Sequence, residues 1–245
     1  MKCNLSSIAA GVCLSFLIAH DASAVSLGKG FDLDIELTAV SDYRYMGISQ
    51  NQRNPALQAG LALASPIGLH VGIWGSSVDY GRGVNTRREQ DYYLGWFIPI
   101  TDELSIDVGL LKYEYPRSSE LNQTSTYGVV KYKGLELTYQ YTGDRDGNQS
   151  GSYATVGYTY TVNDSTRFKA RYGVIDAKDQ VFYSASGETR SRYHEWEAGV
   201  EKDLRGMTWK ASYVDTDLSK MECYNFQGYD NLCSGNVVVS VSKHF

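Results

Sequence analysis

Residues 31–39 read Phe, Asp, Leu, Asp, Ile, Glu, Leu, Thr, Ala, and every second position is apolar. Phe31, Leu33, Ile35, Leu37 and Ala39 share one face of an extended chain, while Asp32, Asp34 and Glu36 share the other. The alternation returns at 104–110, at 135–141 and from Phe168 to Val174, where Phe168, Ala170, Tyr172 and Val174 stand against Lys169 and Arg171. Its period is two, which suits half-buried strands and not an amphipathic helix. Such runs predict twelve strands, near 31–39, 56–64, 69–78, 90–98, 104–115, 124–132, 135–142, 152–160, 167–175, 193–201, 207–214 and 236–245.

The connections alternate in length along the chain. Short ones fall at Ser65 to Gly68, Pro99 to Glu103, Lys133-Gly134, Thr161 to Thr166 and Lys202 to Gly206. Long ones fall at 40–55, 79–89, 116–123, 143–151, 176–192 and 215–235. An even strand count with short turns on one side and long loops on the other is the layout of an outer-membrane barrel. Alternation does not say which face points inward, but width does. Side chains fill a barrel of about eight strands; twelve strands enclose more, and an apolar lumen would leave a void. The apolar face then meets lipid and the charged face meets water. The expected fold is all-β, a single transmembrane antiparallel barrel in an up-and-down meander. A two-sheet sandwich is the competing arrangement.

Residues 1–24 read as a secretory signal peptide, with Lys2, an apolar run from Ile8 to Ala19, and Ala22-Ser23-Ala24 as cleavage site. The barrel domain is then 25–245, with both termini in the periplasm of a Gram-negative cell. Export leaves Cys223 and Cys233 for an oxidising compartment, which predicts a disulfide. Closing so short a loop contributes roughly 3 kcal/mol in the chain-entropy picture. No Cys or His spacing suggests a metal site, and no cofactor is expected. Charge disfavours nucleic acid: 23 Lys+Arg face 28 Asp+Glu, a net −5 where such a partner wants a basic excess. Tyr is abundant at 20 residues and Pro scarce at 4, which suits long strands over loops.

Tyr92, Trp96, Tyr139, Tyr141, Tyr158, Tyr160, Trp196, Trp209 and Tyr213, together with Trp74, suit aromatic girdles at the headgroup level. The chain closes with Val237, Val239, Val241, Lys243 and Phe245 on one face. A terminal Phe on a strand looks like the signal read by the barrel-assembly machinery, and Lys243 suits a snorkelling position.

The run Ser41-Asp42-Tyr43-Arg44-Tyr45-Met46-Gly47-Ile48-Ser49-Gln50, then Pro55 to Gly60 and Gly72 to Asp79, resembles the TorF-like porin family, also called Gcw_chp. The resemblance extends to Trp196 and Phe245. It implies an outer-membrane porin, with no established substrate and no catalytic residues.

Parity puts Asp32, Asp34, Glu36, Asp91, Asp107, Glu136, Glu195, Glu197 and Glu201 in the lumen, with Lys131, Arg167, Lys169, Arg171 and Lys210. The basic row Arg167, Lys169, Arg171 would lie beside Glu195 and Glu197 on the next strand. Two readings fit these rows: a charged constriction that selects solutes, or ion pairs that fill the lumen. Tyr43, Arg44 and Tyr45 in the first long loop either fold inward and narrow the mouth or brace the loop against the wall. The tight-turn residues around Gly47 favour bracing. Loop arginines, among them Arg44, Arg53, Arg82, Arg87, Arg88, Arg117, Arg145, Arg190 and Arg192, suit solvated positions or lipopolysaccharide phosphates. The expected function is passive diffusion of small hydrophilic solutes or ions. The alternatives are a non-conducting structural or adhesive barrel and, behind it, a barrel phospholipase or protease. Against an enzyme, His194 faces lipid by parity with no serine beside it as nucleophile.

Overall fold

The structure, a computed structural model, describes residues 24–81, 83–145 and 149–245. Almost all of the expected leader, and Arg82, lie outside the described residues.

The elements are β1 (Val25–Gly28), β2 (Phe31–Val40), β3 (Arg44–Tyr45), β4 (Ile48–Ser49), β5 (Ala56–Ala64), β6 (Leu69–Ser77), β7 (Arg88–Pro99), β8 (Leu104–Glu114) and β9 (Gln123–Tyr132). They continue with β10 (Leu135–Arg145), β11 (Gln149–Asn163), β12 (Thr166–Asp176), β13 (Phe182–Tyr183), β14 (Thr189–Arg190), β15 (Arg192–Leu204), β16 (Met207–Thr216), α1 (Lys220–Gln227) and β17 (Asn236–His244). Twelve of the strands close a ring, β2-β5-β6-β7-β8-β9-β10-β11-β12-β15-β16-β17 and back to β2, each antiparallel to its neighbours. This is an up-and-down barrel and not a sandwich. No helix among the described residues is long and apolar enough to cross a membrane.

Closure is shared at one edge. Residues 36–40 of β2 pair with β17, and Phe245 donates its amide to Ile35. Beyond that point β1 takes over, pairing Val25 with Leu33 and Ser26 with Asp32. The short turns at one end are tight. Lys133 and Gly134 have φ of 47° and 85°, and Arg205 and Gly206 have 55° and 71°. Two successive positive φ values match the right-handed twist of a hairpin.

The side-chain period sorts the wall into two faces. Leu57, Leu61, Val71, Leu94, Trp96, Val108, Leu110, Leu137, Val156, Phe168 and Val239 point outward and are exposed. Around a closed ring this makes a continuous apolar belt, which only lipid can cover. The inward face carries the polar and charged positions, among them His70, Asp107, Gln140 and Glu195, all buried.

Three expectations are corrected. The connection expected at 143–151 is mostly ladder, with strand through Arg145 and again from Gln149. Strand β7 begins at Arg88, so Glu89, expected in a loop, sits fully buried on the inward face. Trp74 is no girdle residue: it shares the inward parity of His70 and packs edge-on against Tyr43, with ring centroids 5.6 Å apart.

Leu94, at the middle of β7, is 53% exposed on the belt. Leu94→Arg should destabilise the barrel by about 2–4 kcal/mol, the cost of a cation near the midplane. Urea titration of the protein folded in vesicles measures this, and an unchanged midpoint would place Leu94 off the lipid face.

Candidate pore and its mouth

The loop between β2 and β5 does not rise away from the barrel. It turns inward as the hairpin β3–β4, whose two-residue turn is Met46-Gly47, with φ of 50° and 78°. Residues 42–45 and 47–51 are all buried. Gly47 is required twice over. Its φ is positive, and an added Cβ would meet the side chains of Thr216 and Glu195.

The hairpin crosses the lumen. Tyr45 donates its hydroxyl to Gln140 Oε1 at 3.2 Å, and β10 is as far from β2 one way round the ring as the other. The Tyr45 ring meets Tyr153 of β11 edge-on at 6.0 Å. Tyr193 of β15 donates to the Met46 carbonyl at 2.9 Å. At the near side Tyr43 lies on Trp74, and Asp79 N–H reaches the Gln50 carbonyl at 3.0 Å. Inside the hairpin, Asp42 accepts from Arg44 Nε at 2.7 Å and from Ser49 Oγ at 2.6 Å. Tyr43, Arg44 and Tyr45 therefore fold inward, and the two tyrosines also brace the loop against wall residues Trp74, Gln140 and Tyr153. A small cavity of about 20 Å³ lies between the hairpin and the wall, lined by Tyr45, Gln123, Gln140, Arg145 and Tyr153. That is room for a single water.

Below the hairpin the wall of β12, β15 and β16 holds its charges in pairs. Register sets Arg167 opposite Glu201 and Arg171 opposite Glu197. Arg167 grips Asp203 with two bonds of 2.7 and 3.0 Å and also reaches Glu201 at 3.4 Å. Lys169 Nζ meets Glu201 at 2.9 Å. Arg171 is bidentate on Glu195 at 3.0 and 3.2 Å and touches Glu197 at 3.2 Å. Lys210 of β16 pairs with Glu197 of β15. The basic row and the acidic row form one interlocked lattice.

The rest of the inward face mixes carboxylates and aromatics with neutral polar groups and a few bases. Asp34 meets His244 Nδ1 at 3.0 Å, Glu36 accepts from Thr38 at 2.6 Å, and Asp32 is exposed near the end of its strand. Lys131 pairs with Glu136 at 3.3 Å. Glu89 accepts from Tyr115 at 2.9 Å. His70 bonds Asp107 at 3.0 Å, and Tyr127 donates to the same carboxylate at 3.2 Å. An added Cβ at Gly95 would strike His70 and Tyr127, and one at Gly109 would strike the Leu94 carbonyl oxygen and Tyr127. These two glycines leave room for the two side chains against the wall. His194 faces outward, with Nδ1 2.7 Å from the Tyr172 hydroxyl.

Over the mouth sits a cap from the last two long connections. Helix α1 opens with a capping box between Ser219 and Glu222 and closes on Gly228 in the left-handed region. Cys223 and Cys233 form a disulfide. Arg190 binds Glu222 through Nε at 2.7 Å and Asp217 through Nη1 at 2.8 Å. The capping box and the Gly228 stop are plain in the sequence, although the helix was not expected there.

The family model described as "Bacterial protein of unknown function (Gcw_chp)" matches residues 24–245. The chain belongs to the Gcw_chp family. No curated protein matches it. Among solved structures this Gcw_chp chain resembles the NanC porin, at 14% identity and TM-score 0.53, covering 86% of this chain and 97% of that one. It also resembles the KdgM porin, at 8% identity and TM-score 0.55, covering 86% and 99%. A KdgM porin in complex with disordered oligogalacturonate matches at 8% identity and TM-score 0.54, covering 87% and 98%. At such identities the likeness is one of fold: the Gcw_chp chain is built as those porin barrels are.

Burial alone would raise the Glu222 carboxyl, but hydrogen bonds from Arg190 and Ser219 outweigh it and hold it below its ordinary value of 4.5. Because the folded-state value is depressed, the stability Glu222 gives the cap is present above 4.5 and is lost as pH falls through the folded-state value. Hydrogen exchange across 219–228 should therefore quicken at pH 3 relative to the barrel strands. Glu222→Gln should remove most of that pH dependence, and a wild-type helix as well protected, relative to the strands, at pH 3 as at pH 7 would refute the linkage.

Proposed function

We propose that the chain is an outer-membrane channel for passive diffusion of small hydrophilic solutes or ions, narrowed at its outer mouth by the β3–β4 hairpin. One observation carries this: around a closed ring of porin fold, the outer face is apolar and the inner face is charged and polar. Arg167, Lys169, Arg171, Lys210, Glu195 and Glu197 line the ion path in this reading, with Asp32, Asp34 and Glu36 elsewhere on the lumen wall. The paired lattice supports it as a charged surface with a small net field. The narrower TorF-like designation belongs to the same proposal, supported by Ser41 to Gln50 building the hairpin.

Residues 1–24 serve as the export signal, and both termini face the periplasm, on the side of the tight turns. Phe245 offers the barrel-assembly machinery an outward aromatic at the end of β17. Among the loop arginines, the exposed Arg87 and Arg192 suit contact with lipopolysaccharide phosphates. The hairpin across the mouth favours a second reading, a barrel that stays shut and serves a structural role.

Planar-bilayer recording separates the two. Stepwise currents are expected from the refolded protein, and their absence from a folded barrel at every voltage would support the shut barrel. The basic row gives a second test. In Arg167→Gln/Lys169→Gln/Arg171→Gln the acidic row loses three cations and keeps only Lys210 on Glu197, so the reversal potential under a salt gradient should shift toward cation selectivity. No shift in a folded, conducting barrel would remove these residues from the ion path.

A further inference from the structure

We propose that the Cys223–Cys233 bridge is the latch that holds the β3–β4 hairpin across the lumen, so that the mouth is narrow only while the bridge is closed. The part concerning conduction rests on the channel reading above. The part concerning the hairpin stands by itself.

The hairpin is tied to the wall at its tip, but its outer side is tied to the segment between α1 and β17. Ser49 donates its amide to the Leu232 carbonyl at 3.0 Å. Arg44 Nη1 donates to the Ser234 carbonyl at 2.9 Å, and Arg53 Nη1 donates to the Asn231 carbonyl at 3.0 Å. All three acceptors are backbone carbonyls of residues 231–234, a stretch with no strand or helix of its own. A carbonyl on an irregular segment stays in place only if something else fixes the segment.

Here that is Cys233. Its sulfur is bonded to Cys223 on α1, and its amide points at Cys223 Sγ at 3.1 Å. Its carbonyl accepts from Thr216 Oγ1 at 2.8 Å. The helix at the other end is fixed by its capping box and by Arg190. Packing links the same parts: Tyr45, Ile48, Phe182, Phe226, Leu232 and both cysteines share one buried apolar cluster. Opening the bridge returns conformational freedom to residues 224–232 and loosens the three acceptors together.

The test compares the refolded wild type with Cys223→Ser/Cys233→Ser by hydrogen exchange and bilayer conductance. Exchange at residues 43–51 should be roughly tenfold faster without the bridge, while the barrel strands keep their protection. Unit conductance should rise about twofold as the mouth widens. If the double variant does not fold, dithiothreitol on the folded wild type replaces it. The reagent supplies two electrons and two protons, leaves two cysteine thiols and is itself oxidised to its cyclic disulfide. Arg44→Gln, with the bridge intact, should speed exchange in the hairpin and leave α1 unchanged. Unchanged hairpin exchange once the bridge is open overturns the latch, whether or not the barrel conducts. Faster exchange in a barrel that never conducts upholds the latch and removes the channel reading. Faster exchange with unchanged conductance in a conducting barrel overturns the claim that the hairpin narrows the path.

Discussion

Hydrocarbon offers no partner to a backbone N–H or C=O, and that constraint organises this molecule. Each wall strand must find both neighbours in the ladder, so the ring has to close. It does so through β2, which pairs with β5 on one edge and with β17 and β1 in turn on the other. Once the ladder is complete, the period of two assigns every side chain to lipid or to lumen. A twelve-stranded ring has more interior than its own side chains fill. The chain supplies the missing matter from a loop, laying β3–β4 across the upper lumen.

Filling the mouth this way brings polar groups into a confined space, and each has to be satisfied. The hairpin carries its own ion pair in Asp42 and Arg44, takes bonds from Tyr193 and Asn236, and donates to backbone carbonyls of the cap. Lower down, the four cations on β12 and β16 are tied to carboxylates of β15. The charged rows, expected either to select solutes or to fill the lumen as ion pairs, are joined in pairs. Ion pairs line the wall, and the crossing hairpin does the filling.

The wall was legible because its cause is local. Alternation at Phe31 to Ala39 or Phe168 to Val174 follows from which way each side chain points, and nothing distant alters it. The hairpin was not legible, because its cause is distant. Tyr45 reads as a loop aromatic until Gln140 and Tyr153 are brought opposite it. Met46 hides the left-handed turn that an Asn would have advertised. Trp74 alternates as a girdle residue would, and only its even parity with His70 betrays the inward side. Glu89 was lost to a strand start placed too late, since Arg88, Glu89 and Gln90 carry no apolar mark. The cap helix left a signal in Ser219, Glu222 and Gly228, outweighed by the surrounding loop composition.

The glycines of β7 and β8 set a property that strand number does not. His70 and Tyr127 lie against the wall because Gly95 and Gly109 leave them a recess. A methyl group at Gly95 would meet only the far ends of these two side chains and tip them toward the axis, whereas one at Gly109 would first meet the Leu94 carbonyl oxygen and strain the ladder itself. The free bore on that side is thus a matter of one missing carbon. A barrel of fixed circumference can be narrowed at such a position with its register and its lipid face untouched.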